Sequence, residues 1–165
     1  MLGICNGFQA LVKLGLVPFG DIRPMDESCP TLTFNDIGRH QSRLVRTRVA
    51  SKLSPWLSRC EVGDVHTVPV SHGEGRFVAS PQLVAELAAN GQIATQYVDE
   101  QGMPSMGLDV NPNGSVLAIE GITSPDGRIL GKMGHSERRG YGLYRNVPGD
   151  RYQQLFEGGV SYFTE

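Results

Sequence analysis

The chain has little cysteine. Of its 165 residues only Cys5, Cys29 and Cys60 are cysteines, an odd and widely spaced set that speaks against a disulfide framework and for a reducing, cytoplasmic compartment. It has no apolar run of membrane-spanning length, so no transmembrane helix and no membrane partner are expected. The short apolar stretch from Leu11 to Val17 contains Lys13 and has neither a basic leading region nor a cleavage site, so it is not expected to be a secretory leader. Positive charge nowhere gathers into a stripe, and the formal net charge is -2. A nucleic-acid partner therefore lacks electrostatic support. Internal repeats and low-complexity tracts are absent as well.

What the chain does have is punctuation. Its 21 glycines and 10 prolines sit between short apolar runs, as in an α/β domain with many turns, and the length suits one hydrophobic core. Residues Asn6 to Leu14 predict a helix with Phe8, Leu11, Val12 and Leu14 on its apolar face and Gly15 ending it. A second helix is expected over Pro81 to Asn90, with Ser80 as cap, Pro81 in the first position and Gly91 as stop. Strands are expected at Thr31 to Phe34, Arg43 to Val49, Thr67 to Val70, Ile93 to Val98, Val116 to Ile122 and Ile129 to Met133. Asn111 to Gly114 and Pro125 to Gly127 read as turns, and Arg151 to Phe163 as a closing helix weakened by Gly158 and Gly159.

Two words carry chemistry. Gly3-Ile4-Cys5-Asn6-Gly7 is a small-X-nucleophile-X-small pattern, suited to a sharp strand-to-helix turn that exposes the central side chain and excludes large flanking residues. A cysteine in such a turn, at a helix N-terminus and beside a histidine, is expected to have a lowered pKa, and the Asn6 backbone N–H would face the oxyanion formed by thiolate attack on an amide. The other reading of Cys5 is a small buried residue. The second word, His135-Ser136-Glu137, is weak alone but favours the first reading in combination: a base and its orienting acid, two apart and on one side of an extended segment, complete a nucleophile–base–acid set. His72-Gly73-Glu74-Gly75-Arg76 reads either as a ligand-wrapping loop or, on chemistry alone, as a tight turn with solvated charges. Asn35 to Arg43 reads as a solvated connector. Cys60, His66 and His72 match no compact zinc spacing, so no metal site is expected.

Gly3 to Gln9, Pro69 to Phe77, Asn111 to Ser115 and Gly131 to Arg138 follow one another across nearly the whole chain, and together they resemble the glutaminase domain of phosphoribosylformylglycinamidine synthase, a class I glutamine amidotransferase of the triad type. The resemblance implies a flavodoxin-like α/β domain in which Cys5 attacks the side-chain amide of glutamine, His135 acts as base and then acid, and Glu137 orients His135. It also implies substrate contacts from Gln9 and from His72, beside the oxyanion donor at Asn6. The partner implied is a synthetase domain or subunit that uses the ammonia, with ATP and Mg, to convert formylglycinamide ribonucleotide to formylglycinamidine ribonucleotide in purine biosynthesis; this chain itself would bind no cofactor. Against the family pattern, the strands and helices that precede the elbow are missing, so residues 1–165 are expected to be the C-terminal portion of one incomplete domain. Because the second oxyanion donor comes from a preceding loop, and one such donor is typically worth about two to three orders of magnitude in rate, an alternative is a non-catalytic docking fragment. An unrelated cysteine hydrolase on the same scaffold would leave the words beyond the triad unexplained.

Overall fold

Short apolar runs broken by glycine and proline form a mixed α/β layer. The computed structural model describes residues 1–164. In chain order it contains β1 (Leu2–Ile4), α1 (Asn6–Lys13), a broken turn α2 (Leu16–Phe19), β2 (Thr31–Thr33), β3 (Gln41–Val49), β4 (Val65–His72), β5 (Arg76–Val78), α3 (Pro81–Ala89), β6 (Ile93–Tyr97), β7 (Ile119–Thr123), β8 (Leu130–Lys132) and α4 (Leu155–Thr164). Six strands form one sheet in the order β1-β8-β7-β6-β3-β4, while β2 and β5 make a separate antiparallel ribbon. Only β1 and β8 pair in parallel, with Leu2 opposite Leu130 and Ile4 opposite Lys132. The other pairs of the large sheet are antiparallel.

The sheet is covered on both faces. Phe8, Leu11 and Val12 of α1 pack with Leu87 of α3 and with Ile93, Ile119, Ile122 and Phe77. Ala94, Val49, Leu130 and Leu155 form a second cluster with Leu57 and Trp56. Ile93 and Ala94, adjacent in β6, fall in different clusters, as the alternation of a strand requires. Gly131 lets α1 lie close to the sheet: a Cβ there would stand 2.2 Å from the Phe8 ring.

The expected helices form for the expected reasons. In α3 the Ser80 hydroxyl accepts from the Leu83 N–H at 3.2 Å, Pro81 opens the helix, and Val84 and Leu87 are buried. Leu14 departs from expectation, since it lies past the end of α1 and is exposed. β7 begins at Ile119 instead of Val116, because residues Val116–Ala118 form a 3-10 turn in which Leu117 and Ala118 have positive φ. α4 begins at Leu155, and its paired glycines serve packing: a Cβ at Gly159 would meet the Trp56 ring at 2.3 Å. Among the described residues no helix is long and apolar enough to cross a membrane, and all three cysteines are free.

Candidate active site

Cys5 sits in the turn between β1 and α1 with φ 52° and ψ -105°, outside the ordinary regions for a non-glycine residue. Two backbone bonds hold it there. Its N–H donates to the Lys132 carbonyl at 2.8 Å, continuing the ladder to β8, and its carbonyl accepts from the Gln9 N–H at 3.1 Å, opening α1. Gly3 is small of necessity, since a Cβ would stand 2.5 Å from Leu11 Cδ1 and 2.8 Å from the Gly7 carbonyl; at Gly7 a Cβ would meet nothing. Crowding at this elbow thus falls on its strand side alone.

The thiol is half-buried and donates to the Ser71 carbonyl of β4, with Sγ at 3.7 Å. Burial pushes its pKa up, against the smaller lowering effects of the Asn6 N–H and the Arg138 guanidinium, while Glu137 adds to the rise. This reverses the lowered pKa expected from a helix N-terminus: desolvation outweighs the N–H and the nearby cation. The Asn6 N–H, like Arg138, acts to stabilise the thiolate.

His135 is delivered by β8 and fixed by its own N–H, which donates to the Pro69 carbonyl at 2.8 Å. Cys5 and His135 are therefore both tied to β4, at carbonyls two residues apart. His135 is buried, and its Nδ1 lies 2.6 Å from Glu137 Oε1. A carboxylate only accepts, so Nδ1 carries a proton, which leaves Nε2 as the ring atom that can act as base. Among the described residues, Nε2 is buried and has no hydrogen-bond partner, the thiol included. The two side chains meet on a turn instead of an extended segment, for Arg138 N–H donates to the His135 carbonyl at 3.1 Å. Glu137 is partly exposed and also lies 3.9 Å from Arg138.

A buried charge pair that sequence reasoning missed supports this turn. Lys132 Nζ stands 3.4 Å from Glu120 Oε1, both side chains fully buried. The ammonium also donates to the Gly134 carbonyl at 3.1 Å and to Ser136 Oγ at 2.8 Å, and Ser136 Oγ donates in turn to Gln153 Oε1 at 2.7 Å. Glu120 accepts from the Gly134 N–H at 2.5 Å and from the Thr95 hydroxyl. His135 is thus flanked by residues whose polar groups are locked.

The remaining expected site residues lie around the same end of the sheet. Gln9, one turn along α1 from Cys5, donates Nε2 to the Glu74 carbonyl at 2.5 Å. Asn6 and Gln9 line a cleft of about 230 Å³ with Ala10, Lys13, Leu32 and Glu74. His72 is buried at the end of β4, with Nδ1 3.2 Å from Asn35 Oδ1. Burial, with His40 and His135 nearby, drops its pKa to about 4, so it is neutral near pH 7. Its loop keeps Glu74 exposed, as a turn with solvated charges would, but its backbone is braced from inside. Asn35 Oδ1 accepts from the Gly75 N–H, Asn113 Nδ2 donates to the Gly75 carbonyl at 2.6 Å, and Ser115 Oγ accepts from the Phe77 N–H. Asn35, Asn113 and Ser115 are all buried. The segments expected to be a solvated connector and a simple turn therefore form a bracket under the His72 loop. Nothing local marked them, because their asparagines equally suit turns. Arg43 reaches the carbonyls of Leu108 and Asp109.

The model of CobB/CobQ-like glutamine amidotransferase domains matches residues 1–163. A phosphoribosylformylglycinamidine synthase subunit PurQ from Chlorobaculum tepidum is 38% identical over 157 residues, which cover 94% of this chain and 62% of that protein. One from Symbiobacterium thermophilum is 38% identical over 164 residues, covering 99% and 63%. The solved structure of PurLQS from Thermotoga maritima superposes with a TM-score of 0.70 at 24% identity, over 99% of this chain and 61% of that one, and shares its fold. The chain spans about three fifths of the length of these relatives.

Proposed function

The chain belongs to the family of CobB/CobQ-like glutamine amidotransferase domains, and from that premise we propose that it hydrolyses glutamine through Cys5, His135 and Glu137. The observation that carries this reading is the anchoring of Cys5 and His135 to nearby carbonyls of β4, with the Glu137 carboxylate on Nδ1 of the imidazole. Glutamine enters with its side-chain amide carbon over Sγ. His135 Nε2 takes the thiol proton as the sulfur attacks, which a thiol of raised pKa requires. Glu137 stabilises the imidazolium so formed. The Asn6 N–H faces the developing oxyanion. His135 then returns the proton to the leaving nitrogen, ammonia departs, and water cleaves the thioester to glutamate. Gln9, Asn6 and the neutral His72 hold the substrate at the mouth of the site.

The relatives named as PurQ support the destination of the ammonia. It passes to a synthetase partner that uses ATP and Mg to convert formylglycinamide ribonucleotide to formylglycinamidine ribonucleotide, in a cytoplasmic complex. Confinement makes physical sense, since released ammonia is diluted before it meets an activated intermediate. The thiol's bond to Ser71 instead of His135 favours a second reading, a docking module without hydrolysis.

The test combines the chain with a PurL-type synthetase subunit, ATP, Mg and formylglycinamide ribonucleotide, and supplies either glutamine or ammonium. Wild type should support product formation from both. Cys5→Ser should abolish the glutamine-dependent product and leave the ammonium-dependent one. Glutamine use that survives Cys5→Ser refutes the triad. Wild type that binds the synthetase yet supports only ammonium establishes the docking module.

A further inference from the structure

At the end of the sheet, apart from the proposed glutamine site, Cys60, Asp64 and His66 converge. Each offers one donor atom, and these atoms all lie within 4.8 Å of one another. The local chain holds them there. Cys60 closes the turn after Pro55–Leu57 with its N–H on the Leu57 carbonyl at 3.0 Å. Asp64 closes the next, accepting from the Glu61 N–H at 2.7 Å, and His66 is the second residue of β4. A fourth group adjoins them: Asp150 Oδ2 lies 3.8 Å from His66 Nε2, and the Asp150 carbonyl accepts from the Thr67 N–H at 2.7 Å.

Two features set this cluster apart from an ordinary group of polar side chains. Cys60 and His66 are each only 3% exposed, while Asp64 opens to solvent and provides an entry. His66 Nδ1 is buried without a hydrogen-bond partner, which is unfavourable in a folded protein unless something else satisfies the atom. The spacing rule that excluded a site paired Cys60 with His66 and His72. His72 turns away to Asn35, and Asp64 takes its place.

We propose that Cys60, Asp64 and His66 bind one borderline-soft divalent metal ion of the zinc type, with Asp150 as the adjoining carboxylate. A thiolate selects such an ion over calcium or magnesium, and a thiolate with one carboxylate cancels its charge, the thiol giving up its proton to water. Bonds of about 2.0–2.3 Å at tetrahedral angles place donors about 3.3–3.8 Å apart. The donors stand no more than 4.8 Å apart, so a contraction of up to about 1.5 Å, shared by the three side chains, brings them to bonding distance. The ion would join the 60–64 turn to the start of β4, beside the segment through Asp150 that links the His135 turn to α4. Its role is structural.

Cobalt and zinc test this in a Cys5→Ala/Cys29→Ser background, where Cys60 is the only thiol. One equivalent of Co²⁺ should produce a thiolate-to-cobalt absorption band, and one equivalent of Zn²⁺ should abolish it and raise the thermal midpoint. Cys60→Ser should lose the band. Asp64→Asn, at an exposed position, should keep the far-ultraviolet dichroism of the parent and weaken cobalt binding at least tenfold. A folded parent chain without the band, or a midpoint that zinc raises equally in Cys60→Ser, overturns the proposal.

Discussion

Cys5 occupies a conformation that a side chain enters at a cost of about 1–3 kcal/mol. The bonds to Lys132 and Gln9 sustain it, and its result is a sulfur lifted toward β4. Burial keeps that sulfur protonated at rest, so its reactivity depends on proton transfer to His135 as it attacks. His72 gives a measurable consequence at the same scale. Its folded pKa of about 4 lies below the ordinary 6.5, so the unfolded chain takes up the proton first as pH falls. The stability this contributes is complete above about pH 6.5 and is lost on the way down to about 4, a change of up to about 3 kcal/mol. His66, also lowered by burial, adds to the same slope. Urea unfolding between pH 7 and 4 should therefore show a shallower acid-side loss in His72→Gln than in wild type, and equal slopes would contradict the assignment.

Between elements, the Glu120–Lys132 pair joins β7 to β8 and steadies the turn that carries His135. Lys132→Met leaves the Glu120 carboxylate buried and unpaired, and should cost about 3–5 kcal/mol. Adding Glu120→Gln removes that charge but keeps an acceptor for the Gly134 N–H, so the double variant should recover part of the loss in chemical denaturation. A double variant no more stable than Lys132→Met would show that the charge is not what the lysine balances. This pair was not legible in the sequence, because a lysine and a glutamate twelve positions apart in short strands read as solvated alternation until the strands are known to be neighbours. α3 was legible to within a residue at its end, since Ser80, Pro81 and Gly91 act locally. The Asn113 bracket was not. Its asparagines look like turn residues and reveal burial only when Asn35 and Gly75 come into range.

For the whole molecule, strand order does what local pattern cannot. β1 and β8 are 128 positions apart by their opposed residues Ile4 and Lys132 yet pair in parallel, so both run out at the same end of the sheet. Cys5 follows one and His135 the other, at the carboxyl ends of strands where α/β sheets place their ligands. The elbow and the His-X-Glu word could each be read from the sequence and paired by their chemistry, and the resemblance implied the same pairing. Only the topology explains why they face one strand. The most direct test of that claim is mass-spectrometric mapping of the adduct formed by an electrophilic glutamine analogue on the folded chain. A single adduct should form at Cys5, none there in Cys5→Ser, and labelling should slow at least about a hundredfold in His135→Ala. Labelling spread over Cys5, Cys29 and Cys60, or His135→Ala reacting as fast as wild type, would contradict it.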